Sequence, residues 1–287
     1  MTTITAERRF AWAREAAIAA RLDLAEVLRS RWLVFCVVVY LALAGILVLV
    51  GMKESTILGF TGMGRVMLAF SHALVLVLPL LALTATGQVV AHARDEGTLE
   101  LLMSQPIRRG AWLAGVTVTR LAVLVVPLIV ILLGMGIVAA IDGQVVPWEF
   151  IGRVALVATS LVWAFVGIGM AIAVLVRNQA RAITFVVLTW ALSVAFLDVG
   201  LVALMLKWRL DPELVFFGAA LNPVQDARLA LLSGLDPDLG TLGPVGFYLS
   251  TRIGERALFT LGVVWPAVLG TLAWLVALFV FRRRDVT

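Results

Sequence analysis

Few side chains in this sequence are of a type, and in a place, to do chemistry. The two histidines, His72 and His92, stand at opposite ends of one apolar run. On a helix rising about 1.5 Å per residue they are roughly 30 Å apart and cannot share a metal ion. Cys36 is the single cysteine and lies inside another apolar run, so one chain builds neither a disulfide framework nor a thiolate metal site. The eight methionines are scattered rather than paired, which reads as packing and not as a copper-conducting thioether ladder. No G-x-x-x-x-G-K-[ST] phosphate loop, H-E-x-x-H, C-x-x-C or G-x-S-x-G occurs. No catalytic residue, metal ligand or cofactor is expected in this chain.

Two polar stretches carry more shape than chemistry. The first reads Asp95-Glu96-Gly97-Thr98-Leu99-Glu100-Leu101-Leu102-Met103, with Pro106, Arg108 and Arg109 following. Leu99, Leu102 and Met103 fall at i, i+3 and i+4, giving one short apolar helical face. Asp95 and Glu96 suit the N-terminal end of that helix, and Pro106 stops it. The second stretch contains Asn222-Pro223, a capping side chain before a proline at the first helical position. Gln225 adds something close to a capping box. This helix is expected to end at Ser233-Gly234, with the glycine in the left-handed C′ conformation. Val224, Ala227 and Leu231 share one face, which suits a helix lying along the outer membrane surface.

The elements that must position these stretches are apolar. The 287 residues are 62% hydrophobic and 14% charged, against about 45–50% and about 25% in soluble domains. Six runs approach the roughly 20 residues needed to cross a bilayer: Trp32–Gly51, Val66–Ala91, Leu121–Ile141, Val154–Val176, Ile183–Leu206 and Leu258–Phe281. Pro79, Pro127 and Pro266 fall inside three of them and are expected to kink their helices. The nine tryptophans suit an aromatic belt at the helix ends.

Basic residues set the orientation. The N-terminus, the segments after spans two and four, and the C-terminus hold 15 of the 23 lysines and arginines. Both termini are therefore expected in the cytoplasm. The chain divides into a cytoplasmic N-terminal helix over 1–31 and a six-helix transmembrane domain over 32–287. The latter carries a cytoplasmic loop, 92–110, and an outer segment, 207–257. Glu7, Glu15, Asp23 and Glu26 make the N-terminus too acidic and too long for a signal peptide, so span one is an uncleaved anchor. The apolar residues of the N-terminal helix are scattered around its wheel, a weak amphipathic pattern. A pI near 10.3 does not point to nucleic acid, because the arginines cluster at the ends of apolar runs.

One ionisable residue lies within a span. Asp198 is about two-thirds of the way along span five, towards the outer face. Such a carboxylate costs roughly 2.5–3.5 kcal/mol at the bilayer centre and less near the rim. It is either hydrated from the outer rim or paired with His72, which enters span two from the same side.

Six spans and the Asp95-Glu96-Gly97-Thr98-Leu99-Glu100-Leu101-Leu102 loop with Pro106 downstream resemble the ABC-2 type permeases. The ending Phe281-Arg282-Arg283-Arg284-Asp285 is similar too, and the resemblance covers nearly the whole chain. A narrower likeness is to the NosY-like permeases of NosDFY complexes, which serve copper-sulfur site maturation of nitrous oxide reductase. It is carried by Arg29-Ser30-Arg31-Trp32, Phe196-Leu197-Asp198, Leu221-Asn222-Pro223, Arg228-Leu229 and Leu232-Ser233-Gly234. The longer polar N-terminus and the spelling after Asn222 depart from it and leave the outer partner open.

The resemblance implies an all-α, type V-like permease of the inner membrane, not itself an enzyme, working as a homodimer. A dimer of NosF-like ATPase subunits, holding the ATP and Mg, would sit on the cytoplasmic side. Asp95, Glu96, Gly97, Thr98, Leu99, Glu100, Leu102 and Met103 would pass ATPase motion into the spans. A NosD-like β-rich partner would sit outside, near Asn222, Pro223, Gln225 and Arg228. The cargo is sulfur-containing, or absent with mechanical work passed on instead. Rival readings are an ABC-2 exporter of lipid, drug or polysaccharide, a stand-alone intramembrane carrier or enzyme, and a purely structural anchor. A carrier needs several ionisable residues at midplane depth, and only Asp198 and His72 are candidates.

Overall fold

The fold is that of a computed structural model, which describes residues 2–51, 62–143, 145–196, 220–234 and 254–283. The described residues form helices and short connections, without a strand among them. In chain order the helices are α1 (Thr2–Arg29), α2 (Trp32–Gly51), α3 (Gly62–Thr86), α4 (Val89–Asp95), α5 (Thr98–Met103), α6 (Arg109–Ile141), α7 (Trp148–Leu175) and α8 (Gln179–Ala191). A π-helical turn, Leu192–Phe196, extends α8, and α9 (Pro223–Ser233) and α10 (Glu255–Arg283) complete the set.

Among the described residues four stretches are long and apolar enough to cross a membrane: Ala69–Asp95, Arg109–Ile141, Trp148–Leu175 and Glu255–Arg283. A fifth candidate is the pair Ala11–Arg29 and Trp32–Gly45, bent by 63° between its halves. Gln179–Val194 is apolar but shorter, and the rest of the expected fifth span, with Asp198, lies outside the described residues. So do most of the outer segment and the last four residues.

The long helices reach beyond the expected apolar runs. α6 begins at Arg109, not near Leu121, because Ala111, Leu113, Val116 and Thr117 are buried against neighbouring helices. Arg120 looked like a boundary charge, but its Nη2 meets Asp23 Oδ1 at 2.7 Å. An internal ion pair of this kind lets a helix run on past a charge. The helices α3, α6 and α10 all continue through their prolines.

α7 is the centre of the packing. α10 lies along it more extensively than any other pair, and α3 and α6 cover further sides. Two glycines allow the α7–α10 crossing. A Cβ on Gly270 would stand 2.6 Å from the Trp163 carbonyl oxygen, and one on Gly167 would strike the Gly270 carbonyl. Ser160 Oγ donates to the Val263 carbonyl across the same seam.

Four tryptophans tie helices together rather than marking their ends. Trp163 Nε1 donates to Thr271 Oγ1 and Trp274 Nε1 to Thr117 Oγ1, both at 3.0 Å. Trp190 Nε1 reaches the Leu76 carbonyl and Trp265 Nε1 the Leu221 carbonyl, both at 3.2 Å. An indole N–H surrounded by hydrocarbon must find an oxygen, and here it lies on a neighbouring helix or, for Trp265, on the turn that leads into α9.

α1 is a separate helix laid along α6. Arg31 takes a left-handed φ of 59° at the elbow before α2. Ala19, Asp23 and Val27, spaced by four, are buried, while Ile18, Leu22 and Leu28 on other sides stay exposed. A Cβ on Gly115 of α6 would meet the Ala16 carbonyl and Ala19 Cβ, so the two helices touch backbone to backbone.

Candidate functional site

The acidic-glycine segment turns on Gly97. α4 ends at Asp95, Glu96 caps it, and Gly97 adopts φ 70°, the left-handed conformation that glycine takes without a Cβ penalty. The Gly97 amide donates to the Arg94 carbonyl at 3.0 Å. Gly97 is also the residue from which α5 starts, its carbonyl accepting from the Leu101 amide at 3.2 Å. Thr98 Oγ1 bonds back to the Ala93 carbonyl at 3.0 Å. One glycine therefore joins two short helices with no slack between them.

The geometry corrects the sequence reading in two ways. Asp95 and Glu96 close α4 rather than open α5. Carboxylates at a helix C-terminus face the wrong end of its dipole, and Glu96 Oε1 lies 3.2 Å from His92 Nε2, one turn back on α4. The apolar face of α5 points inward: Leu99 is fully buried, and Leu102 and Met103 pack on the core. That face cannot fill a partner's groove. Leu101 is the residue turned out, 67% exposed beside the exposed Glu100. Its exposure follows from α5's register once Leu99 is the anchor, and the anchor is a tertiary choice.

After α5 the chain is fastened to α1. The Arg108 amide donates to Glu15 Oε2 at 3.0 Å, and its guanidinium lies 3.9 Å from Glu15 Oε1. Further along, Thr119 Oγ1 donates to the Ala20 carbonyl at 2.9 Å, and Arg120 spans Asp23 and Glu26 at 2.7 and 3.8 Å. Burial pushes the Asp23 carboxyl above its ordinary value, against the pull of the Arg120 guanidinium. Glu15 and Asp23 escaped the sequence reading because their partners are more than 90 residues away.

On the opposite side, α9 is a buried helix. Asn222 caps it, Oδ1 accepting from the Val224 amide at 3.1 Å while Nδ2 donates to the Ser193 carbonyl at 2.7 Å. Val224, Ala227 and Leu231 do share a face, but that face is seated among α10, α7 and α3 rather than along a membrane surface. Asn222 and Pro223 are buried, so of the four expected partner contacts only Gln225 and Arg228 keep open surface. Gly234 has φ −77°, not a left-handed conformation. A Cβ at Gly234 would stand 3.3 Å from the Arg153 side chain. Arg153 itself bridges Glu149 and Glu255 and lies over the Phe259 ring.

Asp226, missed in the sequence, is 1% exposed with neither carboxylate oxygen hydrogen-bonded. Burial raises its pKa to about 7. His72 is half-buried on α3; its expected partner Asp198 lies outside the described residues.

A family described as ABC-2 family transporter protein matches residues 17–286. The chain is 27% identical over 275 residues to a probable ABC transporter permease protein NosY of Stutzerimonas stutzeri, covering 92% of this chain and 97% of that one. It is 24% identical over 277 residues to the protein of the same name in Pseudomonas aeruginosa, covering 93% and 98%.

Proposed function

The chain belongs to the ABC-2 family of transporter proteins and is similar to NosY permeases; from that premise we propose a permease driven by separate ATPase subunits through α4 and α5. Two copies of the chain form the membrane unit, with six spans each and both termini in the cytoplasm of an inner-membrane protein. The ATPase subunits bind ATP and Mg and close on nucleotide binding. Their closure pushes on Leu101 and Glu100, and the Gly97 joint transmits the push through α4 into α3. Leu99, locked in the core, makes the contact a lever rather than a loose loop.

By likeness to NosY, the work supports copper-sulfur site maturation of nitrous oxide reductase, with an outer β-rich partner near Gln225 and Arg228. The observation that carries the coupling role is the pairing of an exposed Leu101 with a buried Leu99 on a six-residue helix. Leu101, exposed beside Glu100 on a helix anchored by Leu99, offers a partner one apolar contact point at a fixed position. Leu101→Asp, in the chain reconstituted with its ATPase subunits, should lower permease-stimulated ATP hydrolysis tenfold or more while the spans stay folded. Unchanged stimulation by this variant removes α5 from the coupling path.

A further inference from the structure

Apart from Arg153 Nη1, which faces Glu255, five polar side-chain atoms among the described residues are buried without a hydrogen-bond partner. Three of them belong to residues lining a single cleft of about 510 Å³. The cleft opens between α1, the first residue of α2, the end of α3, the α4–α5 pair, α6 and the start of α8. The unpartnered atoms are Trp32 Nε1, Arg120 Nε and Asp23 Oδ2. Trp32 contrasts with Trp163, Trp190, Trp265 and Trp274, whose indole N–H groups all find an oxygen. Asp23 is 6% exposed and gives only Oδ1 to Arg120.

The three atoms define a ligand by what they lack. Trp32 and Arg120 each offer an N–H and need an acceptor, while Asp23 needs a donor. Glu26 and Glu96 add negative charge to the lining, and Leu22 and Leu101 add apolar surface. The cleft also sits at the 63° elbow where the polar α1 gives way to the apolar α2, the level of a membrane's polar heads.

We infer that this cleft binds the zwitterionic phosphoethanolamine head of an aminophospholipid. Phosphate oxygens accept from Trp32 Nε1 and Arg120 Nε, and the primary ammonium donates to Asp23 Oδ2 with Glu26 beside it. The head enters by parting the side chains that now seal these atoms. An anionic head without an ammonium, such as phosphoglycerol, gives Asp23 at most a neutral hydroxyl and brings uncompensated negative charge to three carboxylates, Asp23, Glu26 and Glu96. A choline head carries no N–H to give Asp23, and a simple cation leaves Trp32 and Arg120 unmatched.

The test is native mass spectrometry of the full chain offered phosphatidylethanolamine, phosphatidylcholine and phosphatidylglycerol with equal acyl chains. Phosphatidylethanolamine should be retained at least about fivefold over either of the others, a margin of the size one charge-assisted hydrogen bond supplies. Asp23→Asn, which removes the charge that faces the ammonium, should bring the preference towards parity, whereas Trp32→Phe, which keeps a ring and removes only a donor to the phosphate that all three lipids share, should weaken all three alike. Soluble phosphoethanolamine, added as competitor, separates the two sources of this head. Weak competition assigns the site to the lipid, and competition at equal strength assigns it to the free phosphomonoester. Either result supports the head-group chemistry. No preference among the three lipids, a preference that Asp23→Asn keeps, or retention of the lipids that Trp32→Phe leaves undiminished overturns it and leaves the cleft to water.

Discussion

Asp226 stands in the first turns of α9 with both oxygens unpartnered and almost no exposure. Burial favours its neutral form and raises its pKa to about 7 from an ordinary 3.8. Between those two values the folded chain holds a proton that the unfolded chain has released. Stability from this site is therefore greatest below about pH 4 and falls as pH rises to about 7, by an amount on the order of a few kcal/mol. Thermal unfolding in detergent should show a midpoint that declines across that window, with Asp226→Asn levelling the decline and raising the midpoint at pH 8. An Asn variant that keeps the wild-type slope would assign the dependence to another group. Nothing in the spelling Pro223-Val224-Gln225-Asp226 marked this residue, because its burial depends on where α9 is seated.

At the scale of elements, the α7–α10 seam and the Gly97 joint make contrasting demands on glycine. Gly270 needs the absence of a Cβ because the Trp163 carbonyl is backbone and cannot yield cheaply. Gly270→Ala should cost about 1–3 kcal/mol of overpacking. Gly152→Ala on α7, where a Cβ meets nothing within 4 Å, should be neutral or mildly stabilising. Comparable melting midpoints for the two variants would contradict the tight crossing. Gly97 needs a positive φ instead. Gly97→Pro should abolish ATPase stimulation, since proline fixes φ near −65°, whereas Gly97→Asn should retain much of it because Asn tolerates the left-handed region. Equal activity in both variants would mean the joint is not used.

Much at this scale was legible in the sequence. The 98–103 helix, the Asn222 cap and the long apolar helices follow from periodicity and capping alone. What the sequence withheld was set by tertiary contact: which face of α5 turns inward, that α9 sinks into the bundle, and that Arg120 continues a helix rather than bounding a span. Local spelling carries no record of a neighbour that arrives a hundred residues later.

For the molecule as a whole, the basic bias sets an orientation that labelling can check. In a Cys36→Ser background, Ser104→Cys and Thr287→Cys should react with an impermeant thiol reagent from the cytoplasmic side only. Ser250→Cys, in the outer segment beyond the described residues, should react from outside only. Labelling of Ser250→Cys from the cytoplasm would invert the arrangement and move the α5 face away from any cytoplasmic ATPase. Ser104 is exposed and suits this use, while native Cys36 is buried.

The ion pair between α1 and α6 sets a schedule for the chain's birth. Asp23 and Arg120 are 97 residues apart, and a ribosome adding about 5–20 residues per second needs roughly 5–20 s to make the second after the first. Through that interval α1 has no α6 to lie on, so its carboxylate stays in water and its exposed apolar residues are open to the membrane surface or to a chaperone. Docking of the N-terminal helix is thus a late event, completed only after α6 has emerged. A chain stopped before Arg120 holds its first thirty residues in a state that the finished protein never shows.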